Sequence, residues 1–358
     1  MTGTTAVPVR NAVQEGAAAA SRPWFMPALY AGLCLALIAA MLWSIASGRF
    51  AVPFAKVIAI LIAPLTGHAP SWTPTEAIVV NVVRLPRLLI AAIAGASLSL
   101  CGAVLQGLFR NPLVGPQTIG ISSGAALGGV AAIMFVGFGT LVPLGAFAGA
   151  ALALIAVIAL QRSDGVSPVL TLVLAGIVVS AFCGALVGLV TYIADPETKL
   201  PDIVYWLLGS FATATWPKLL LIAGWATFAA VVMIGMRWRI NVLSLGDEEA
   251  RTLGINPGRD RLILMAAACI AVSAQVAVSG IIGWVGLVVP NLARQIVGAD
   301  HRRLLPVSAL LGAIFLVVAD TLSRDLTAAE IPVGIVTAIV GTPIFAILLR
   351  QTTRSGAA

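Results

Sequence analysis

Long apolar runs separated by short polar segments occupy the chain from residue 24 to residue 350. A helix needs roughly 20 apolar residues to cross a bilayer, and ten windows approach or exceed that length. They lie near residues 26–47, 87–107, 118–137, 139–160, 168–193, 217–236, 262–281, 283–298, 304–322 and 332–349. No strand-like alternation is present, and backbone polar groups in lipid must bond within their own segment. The pattern therefore predicts an all-α, polytopic membrane protein with about ten transmembrane helices, of which the third and eighth have the weakest signal.

The remaining segments divide the chain into one membrane domain and two tails. Residues 1–23 have no apolar core and are predicted to be a disordered cytoplasmic tail. Residues 24–350 form a single transmembrane domain, and residues 351–358 form a C-terminal cytoplasmic tail. Residues 48–86 and 195–218 carry proline and tryptophan, so we expect loops with short helices at the opposite face.

One interior segment breaks the apolar pattern. Residues 237–261 contain nine charged side chains, among them the run Asp247-Glu248-Glu249, and apolar helices flank the segment on both sides. Each charge costs about 2.5–3.5 kcal/mol to insert into lipid. The segment must therefore be a structured loop at the membrane surface, and a charged helical loop of this kind is typical of a contact with a soluble partner, here an ATPase.

Composition and charge agree with a membrane location. The chain is 60% apolar, has a mean hydropathy of +1.05, and carries a net charge of +7. With both termini placed in the cytoplasm, fourteen of the 21 basic residues fall on the cytoplasmic side, as the positive-inside rule requires. Basic residues at helix ends fit anionic lipid headgroups. We therefore expect an inner-membrane protein that contacts membrane lipid and no nucleic acid.

Sequence motifs of catalytic, nucleotide-binding and metal-binding sites are weak or absent, so the chain is not expected to be an enzyme. Gly120-Ile-Ser-Ser-Gly124 matches a hydrolase pattern but lies in an apolar helix, and the two histidines, His68 and His301, fall on opposite sides of the membrane. No lysine follows a glycine, so a phosphate-binding loop is absent, and if ATP drives this protein another subunit must bind it. The four cysteines show no CxxC pairing. We predict no metal site and no cofactor.

Glycines at spacings of three or four residues predict close helix packing. They are Gly120, Gly124, Gly128, Gly280, Gly283 and Gly286.

Four charged positions within or beside the predicted spans call for an explanation. Asp320 is an acid deep in a span, where it serves either as an ion pair with Arg324 one turn later or as a proton or cation site. Arg84 and Arg87 stand at the external start of the second span, against both the helix dipole and the positive-inside rule. They either present cations to an acidic protein partner, which we favour, or anchor phosphate headgroups.

Four motifs, in order, resemble the permease family of type II ABC importers for iron-siderophores, haem and cobalamin. They are RLPRLLIAAIAGASLSLCGAVLQGLFRNPLVGPQTIGISSGAALG (84–128), LGDEEARTLGI (245–255), SGIIGWVGLVVPNLARQIVGADHRRLLP (279–306) and ADTLSRDLTAAEIPVGIVTAIVGTPIFAILL (319–349). The resemblance implies the type II importer permease fold in a homodimer, with two ATP-binding cassette subunits and a periplasmic substrate-binding protein as partners. It places binding-protein docking at Arg84, Arg87 and Arg324. The resemblance also implies that the residues that couple the permease to the ATPase are Leu245, Gly246, Asp247, Glu248, Glu249, Ala250, Arg251 and Gly254.

Function follows from this resemblance as an expectation. The chain would move a metal chelate, most simply a ferric siderophore, into the cytoplasm by alternating access, while a partner subunit hydrolyses ATP. The alternatives are a haem or cobalamin permease of the same family, or an ion-coupled secondary transporter centred on Asp320. Asn291 stands where the family usually has histidine, and this departure weakens any inference about the substrate.

Overall fold

The computed structural model describes residues 24–48, 50–66, 71–139, 141–161, 168–327 and 329–356. Within these ranges every regular element is helical. The helices are α1 Phe25–Ala46, α2 Phe54–Thr66, α3 (Pro74–Ile78, the π-helical Val79–Arg84 and Leu85–Phe109), α4 Ile121–Phe135, α5 Leu141–Leu160, α6 Pro168–Ile193, α7 Lys199–Leu207, α8 Trp216–Gly235, α9 Arg237–Leu245, α10 Asp247–Thr252, α11 Pro257–Ser279, α12 Val285–Val297, α13 His301–Asp325 and α14 Val333–Gly356.

The all-α membrane fold is confirmed. Eight helices of the described parts are long and apolar enough to cross a membrane. The two other predicted spans correspond to α4 and α12, apolar helices of 15 and 13 residues, and these are the two windows with the weakest signal. The predicted N-terminal tail and His68 lie outside the described residues, whereas α14 continues through most of the predicted C-terminal tail to Gly356.

Helix α3 occupies the centre of the bundle. It packs against α1, α8, α9, α11, α12 and α13, and 83% of its most apolar window is buried, compared with 78% for α11, 22% for α6 and none for α1. These helices are apolar on all sides, so the hydrophobic pattern alone does not select an inner face. In lipid, close backbone packing selects the neighbours instead.

The start of α3 differs from the sequence prediction. The second span was expected to begin near residue 87, but the helix begins at Pro74. A capping box sets this start, because Thr73 Oγ1 accepts from Glu76 N and Glu76 Oε2 accepts from Thr73 N. Lys56 of α2 forms an ion pair with Glu76 at 2.8 Å. Arg84 and Arg87 consequently lie inside a continuous helix rather than at its first turn.

Glycine backbones form the closest contacts between helices. A Cβ atom at Gly128 of α4 would overlap the carbonyl oxygen of Gly145 in α5, and one at Gly124 would lie 2.5 Å from the carbonyl oxygen of Gly149. A Cβ at Gly286 would lie 2.8 Å from the Leu98 carbonyl oxygen of α3. Such separations are below van der Waals contact, so only glycine permits these helix approaches.

Three other glycines from the predicted set differ in their surroundings. Gly120, at φ +85°, precedes α4, and its Cβ would lie 3.2 Å from Val179 of α6. Gly280, at φ +69°, faces the Trp206 carbonyl oxygen, and a Cβ at Gly283 would lie 2.8 Å from Gln117 Nε2. The positive φ angles of Gly120 and Gly280 disfavour any other residue.

The bundle has two polar ends. We call the end that carries residues 237–261 the loop end. The opposite end, which carries Arg84, Arg87 and Arg324, we call the arginine end. Helices α3 and α13 connect the two ends. Arg87 of α3 meets Asp320 of α13 at the arginine end, and Gly107 of α3 lies beside His301 of α13 at the loop end.

Candidate functional site

The charged loop folds as two short helices, α9 and α10, which lie across the loop end. Glu248, Glu249 and Arg251 are exposed, beside two exposed leucines, Leu245 at 63% and Leu253 at 53%. An apolar pair next to acids, outside the membrane spans, is typical of a surface that a protein partner covers.

The other loop residues named from the sequence serve the fold of the loop. Ala250 is fully buried, and Gly246 separates α9 from α10 at φ +154°, where a Cβ atom would overlap Glu249 Oε2. Gly254, at φ +76°, follows the end of α10 and is exposed.

Two ion pairs attach the loop to the start of α11. Arg261 Nη2 lies 2.8 Å from Asp247 Oδ1, and Arg239 Nη1 lies 2.9 Å from Asp260 Oδ1. Burial raises the pKa of Asp247, but the hydrogen bond and charge of Arg261 outweigh it, so this pKa lies below its usual value. The exposed α10 is therefore held to a membrane helix by a charged side chain that is itself buried.

A third attachment joins the loop to α13. Asn241 Oδ1 of α9 accepts from the backbone N–H of His301 at 2.8 Å and lies 2.7 Å from His301 Nδ1. Asn241 Nδ2 donates to Asp300 Oδ1, the N-cap of α13, at 2.6 Å. One side chain thus links the loop to the first turn of a membrane helix, and no pattern in the sequence indicated this contact.

Asn291 belongs to a polar network just inside the loop end. Its Nδ2 donates to the carbonyl oxygens of Pro112 and Leu287, at 3.0 and 2.8 Å, and its Oδ1 accepts from Arg294 at 3.0 Å. Arg294 also donates to Gln106 Oε1 of α3 at 2.9 Å. These bonds join α3, α12 and the segment after α3, which gives the unusual Asn291 a structural role.

Arg87 is the centre of a buried charge cluster at the arginine end. Its Nη2 lies 2.9 Å from Asp320 Oδ1 of α13, and its Nε donates to the same carboxylate. On its other side Nη1 lies 2.8 Å from Glu330 Oε2, whose side chain is 36% exposed. Asp320 is 1% exposed, so one carboxylate of the cluster is inaccessible and the other is partly open to solvent.

Arg84 and Arg324 bind the C-terminal end of α1. Arg84 donates to the carbonyl oxygens of Ile45 at 2.8 Å and Phe50 at 2.6 Å, and Arg324 donates to the carbonyl oxygen of Ser44 at 3.0 Å. The last carbonyls of a helix lack partners and carry partial negative charge. Both guanidinium groups therefore cap α1 across the bundle.

This geometry corrects the expected environment of the three arginines. They were expected to be presented at the surface, but Arg84, Arg87 and Arg324 are only 6%, 6% and 8% exposed. The predicted Asp320–Arg324 pair is present at 3.4 Å, yet the shorter contacts of Asp320 are to Arg87. The carboxylate of Asp320 is already paired with two arginines, so the cluster does not support the secondary-transporter alternative.

The comparisons with known proteins decide the family. The profile of the FecCD transport family matches residues 36–351. The chain belongs to this family. It is 41% identical to the molybdate import system permease protein MolB of Haemophilus influenzae, over 94% of this chain and 99% of that protein. It is 44% identical to a probable iron chelatin transport system permease protein of Helicobacter pylori, over 77% of this chain and 83% of that protein.

A solved structure gives the same answer for the fold. A metal-chelate type ABC transporter in an inward-facing conformation superposes with a TM-score of 0.81 at 39% identity, over 91% of this chain and 99% of that one. This FecCD-family chain is therefore an ABC-transporter permease of the inner membrane. It is a transport subunit, and ATP is hydrolysed by partner ATPase subunits.

Neutralising Asp320 tests the charge cluster of this permease. Asp320→Asn leaves Arg87 and Arg324 buried with less compensating charge, and breaking a buried pair in this way costs about 3–5 kcal/mol. We expect a clearly lower melting temperature of the purified protein in detergent. The control is Glu197→Gln, which neutralises an exposed acid between α6 and α7, and for which a change within about 0.5 kcal/mol is expected. Equal melting temperatures for the two variants would show that the cluster does not stabilise the bundle.

Proposed function

We propose that this chain, as a homodimer, is the permease of an importer for a ferric siderophore. Two ATPase subunits bind at the loop end, which faces the cytoplasm, and a periplasmic binding protein docks at the arginine end. ATP binding and hydrolysis move the loop, and the pathway opens to each side of the membrane in turn. No bond of the substrate is made or broken.

We place the exposed face of α6 along the transport pathway, and the character of this face carries the choice of substrate. This helix contains no charged residue between Pro168 and Ile193. A Cβ atom added at Gly184 or Gly188 would meet no other atom within 4 Å, and neighbouring large side chains such as Phe182, 64% exposed, are uncovered. A wide, uncharged surface suits a bulky chelate that slides along it, because each unpaired ion in such surroundings costs several kcal/mol.

Molybdate is the second candidate substrate. The relative named as a molybdate permease matches nearly the whole of both chains. Molybdate is a small dianion, so a molybdate permease should have cationic or hydrogen-bonding groups along its pathway. Helix α6 has no charged side chain and few polar ones.

Uptake into proteoliposomes tests both candidates. The permease, its co-purified ATPase and its binding protein are reconstituted with ATP inside, and ferric hydroxamate and catecholate siderophores, haem, cobalamin and molybdate are offered outside. We expect ATP-dependent accumulation of a ferric siderophore. Accumulation of molybdate alone would replace the substrate, and uptake driven by an ion gradient without ATP would overturn the proposed mechanism.

Charge reversal on α10 tests the coupling surface. Glu248→Arg with Glu249→Arg places cations on the exposed acidic face, and ATP-driven uptake should fall by roughly tenfold or more because the ATPase no longer binds productively. Co-purification of the ATPase measures the cause directly. Glu197→Arg, an exposed acid at the opposite end, is the matched control. A fully coupled double variant would remove α10 from the ATPase interface.

A binding protein that docks at the arginine end must reach arginines that are buried, and the charge cluster offers one route. Only Glu330, of the two acids on Arg87, is open to solvent. An acidic group of the binding protein would therefore approach Arg87 by displacing Glu330, while Asp320 keeps its contact and holds the guanidinium in place. Direct charge reversal at Arg87 is a poor test, because it would also place like charges beside Asp320.

Glu330→Gln is the sharper test of docking. If Glu330 competes with an acid of the binding protein, its neutralisation should strengthen docking by about two- to fivefold, the worth of a partly exposed ion pair. The affinity is measured by surface plasmon resonance with the permease in nanodiscs. Glu197→Gln should leave it unchanged. Weaker or unaltered docking in Glu330→Gln would show that Arg87 does not receive the binding protein in this way.

A further inference from the structure

A cavity of about 580 Å³ lies at the arginine end, away from the charge cluster and the loop. Helices α5, α7, α8 and α11 enclose it. Its walls are mainly apolar and include Val142, Leu144, Leu221 and Ala277. A volume of this size is within the range of small-ligand sites, and nothing in the proposed transport cycle uses it.

One side of the cavity is polar. Lys218 Nζ donates to Thr213 Oγ1 at 2.7 Å, and Tyr205 Oη donates to Ser210 Oγ at 3.1 Å. All four of these residues line the cavity. Lys218 forms no ion pair in the parts of the chain that the structure describes. Its cationic group thus faces an amphipathic cavity with only a neutral hydroxyl bonded to it.

Aromatic side chains mark the depth of this cavity in the membrane. Phe138 and Tyr205 line it, and Trp216 directly precedes the lining segment of α8; the three are 45%, 39% and 41% exposed. The Trp216 indole donates to the Asn81 carbonyl oxygen of α3 at 3.1 Å. Tryptophan and tyrosine concentrate where the hydrocarbon meets the headgroups. Lys218 therefore lies at the level of the lipid phosphates, with the apolar walls beside it.

We propose that this cavity binds an anionic phospholipid of the leaflet at the arginine end. The phosphate would pair with the ammonium of Lys218 and accept from the neighbouring hydroxyls, and one acyl chain would lie along Val142, Leu144 and Leu221. The occupant is a lipid rather than a soluble anion because most of the lining is apolar, and it is anionic because the cation of the cavity lacks a counterion among the described residues.

Native mass spectrometry of the purified full-length protein tests the site with three probes. Phosphatidylglycerol carries both parts of the ligand, diacylglycerol lacks the phosphate, and glycerophosphoglycerol lacks the acyl chains. Phosphatidylglycerol should bind more tightly than diacylglycerol, and glycerophosphoglycerol should not displace it. Lys218→Gln should weaken phosphatidylglycerol binding by about fivefold, which is the worth of one lysine near an anionic headgroup.

Matched variants separate this site from general lipid contact. Lys199→Gln removes another lysine at the same end, which donates to the Ile133 carbonyl oxygen and is outside the cavity lining. Leu144→Ser removes part of the apolar wall. Its control is Leu152→Ser, which changes a leucine of α5 outside the lining; Leu152 is 66% exposed and Leu144 is 64% exposed. The site is supported if Lys218→Gln and Leu144→Ser weaken binding and the two controls do not.

Two results would overturn the proposal. Equal binding in Lys218→Gln and the unaltered protein would remove the headgroup contact. Displacement of the lipid by glycerophosphoglycerol would make this an anion site without a lipid. Neither result depends on transport, so the outcome is independent of the proposed function.

Discussion

The placement of buried arginines depends on one constraint: in lipid, a charge must find its partners inside the protein. Arg84, Arg87 and Arg324 meet this requirement through two kinds of acceptor, the free carbonyls at the end of α1 and the carboxylates of Asp320 and Glu330. The same bonds decide how α1, α3 and α13 meet at one end of the bundle. Helix α1 is apolar on all sides and none of its most apolar window is buried, so these caps are the specific contacts that position its C-terminal end.

The loop end uses the same chemistry for a different purpose. There the charged and polar side chains attach an exposed segment to the membrane helices, through Arg261–Asp247 and Arg239–Asp260 on α11 and through Asn241 on α13. An exposed pair of surface charges contributes little, but Arg261 and Asp260 are buried to more than nine-tenths. In the proposed transport cycle these bonds would transmit a movement of α10 to α11 and a movement of α9 to α13.

The sequence predicted the helices well because a long apolar run in a bilayer has only one stable backbone structure. It also predicted a structured, charged loop, since nine charges have no place in lipid. Side-chain contacts between distant parts of the chain were harder to predict. The Asp320–Arg324 contact, one helical turn apart, was visible, whereas Arg87 and Asp320 are 233 residues apart, and no local spacing reveals their pairing. The early start of α3 was missed although its signal, Thr73 followed by Glu76, was present in the chain.

In the proposed mechanism a movement of the loop must reach α6, which packs on α4 and α5 rather than on the loop. Helix α3 joins α12 and α13 through glycine contacts, and two partly buried hydrogen bonds of Gln106 also join it to α12. Helices α4 and α5 join through Gly128 and Gly145. Helix α11 packs against both groups, contacting α3 on one side and α4 and α5 on the other. It also holds the loop through Arg261. Because α6 rests on α4 and α5, in the proposed transport cycle a tilt of α11 relative to α3 would shift the exposed face of α6 while both glycine-packed groups stay intact.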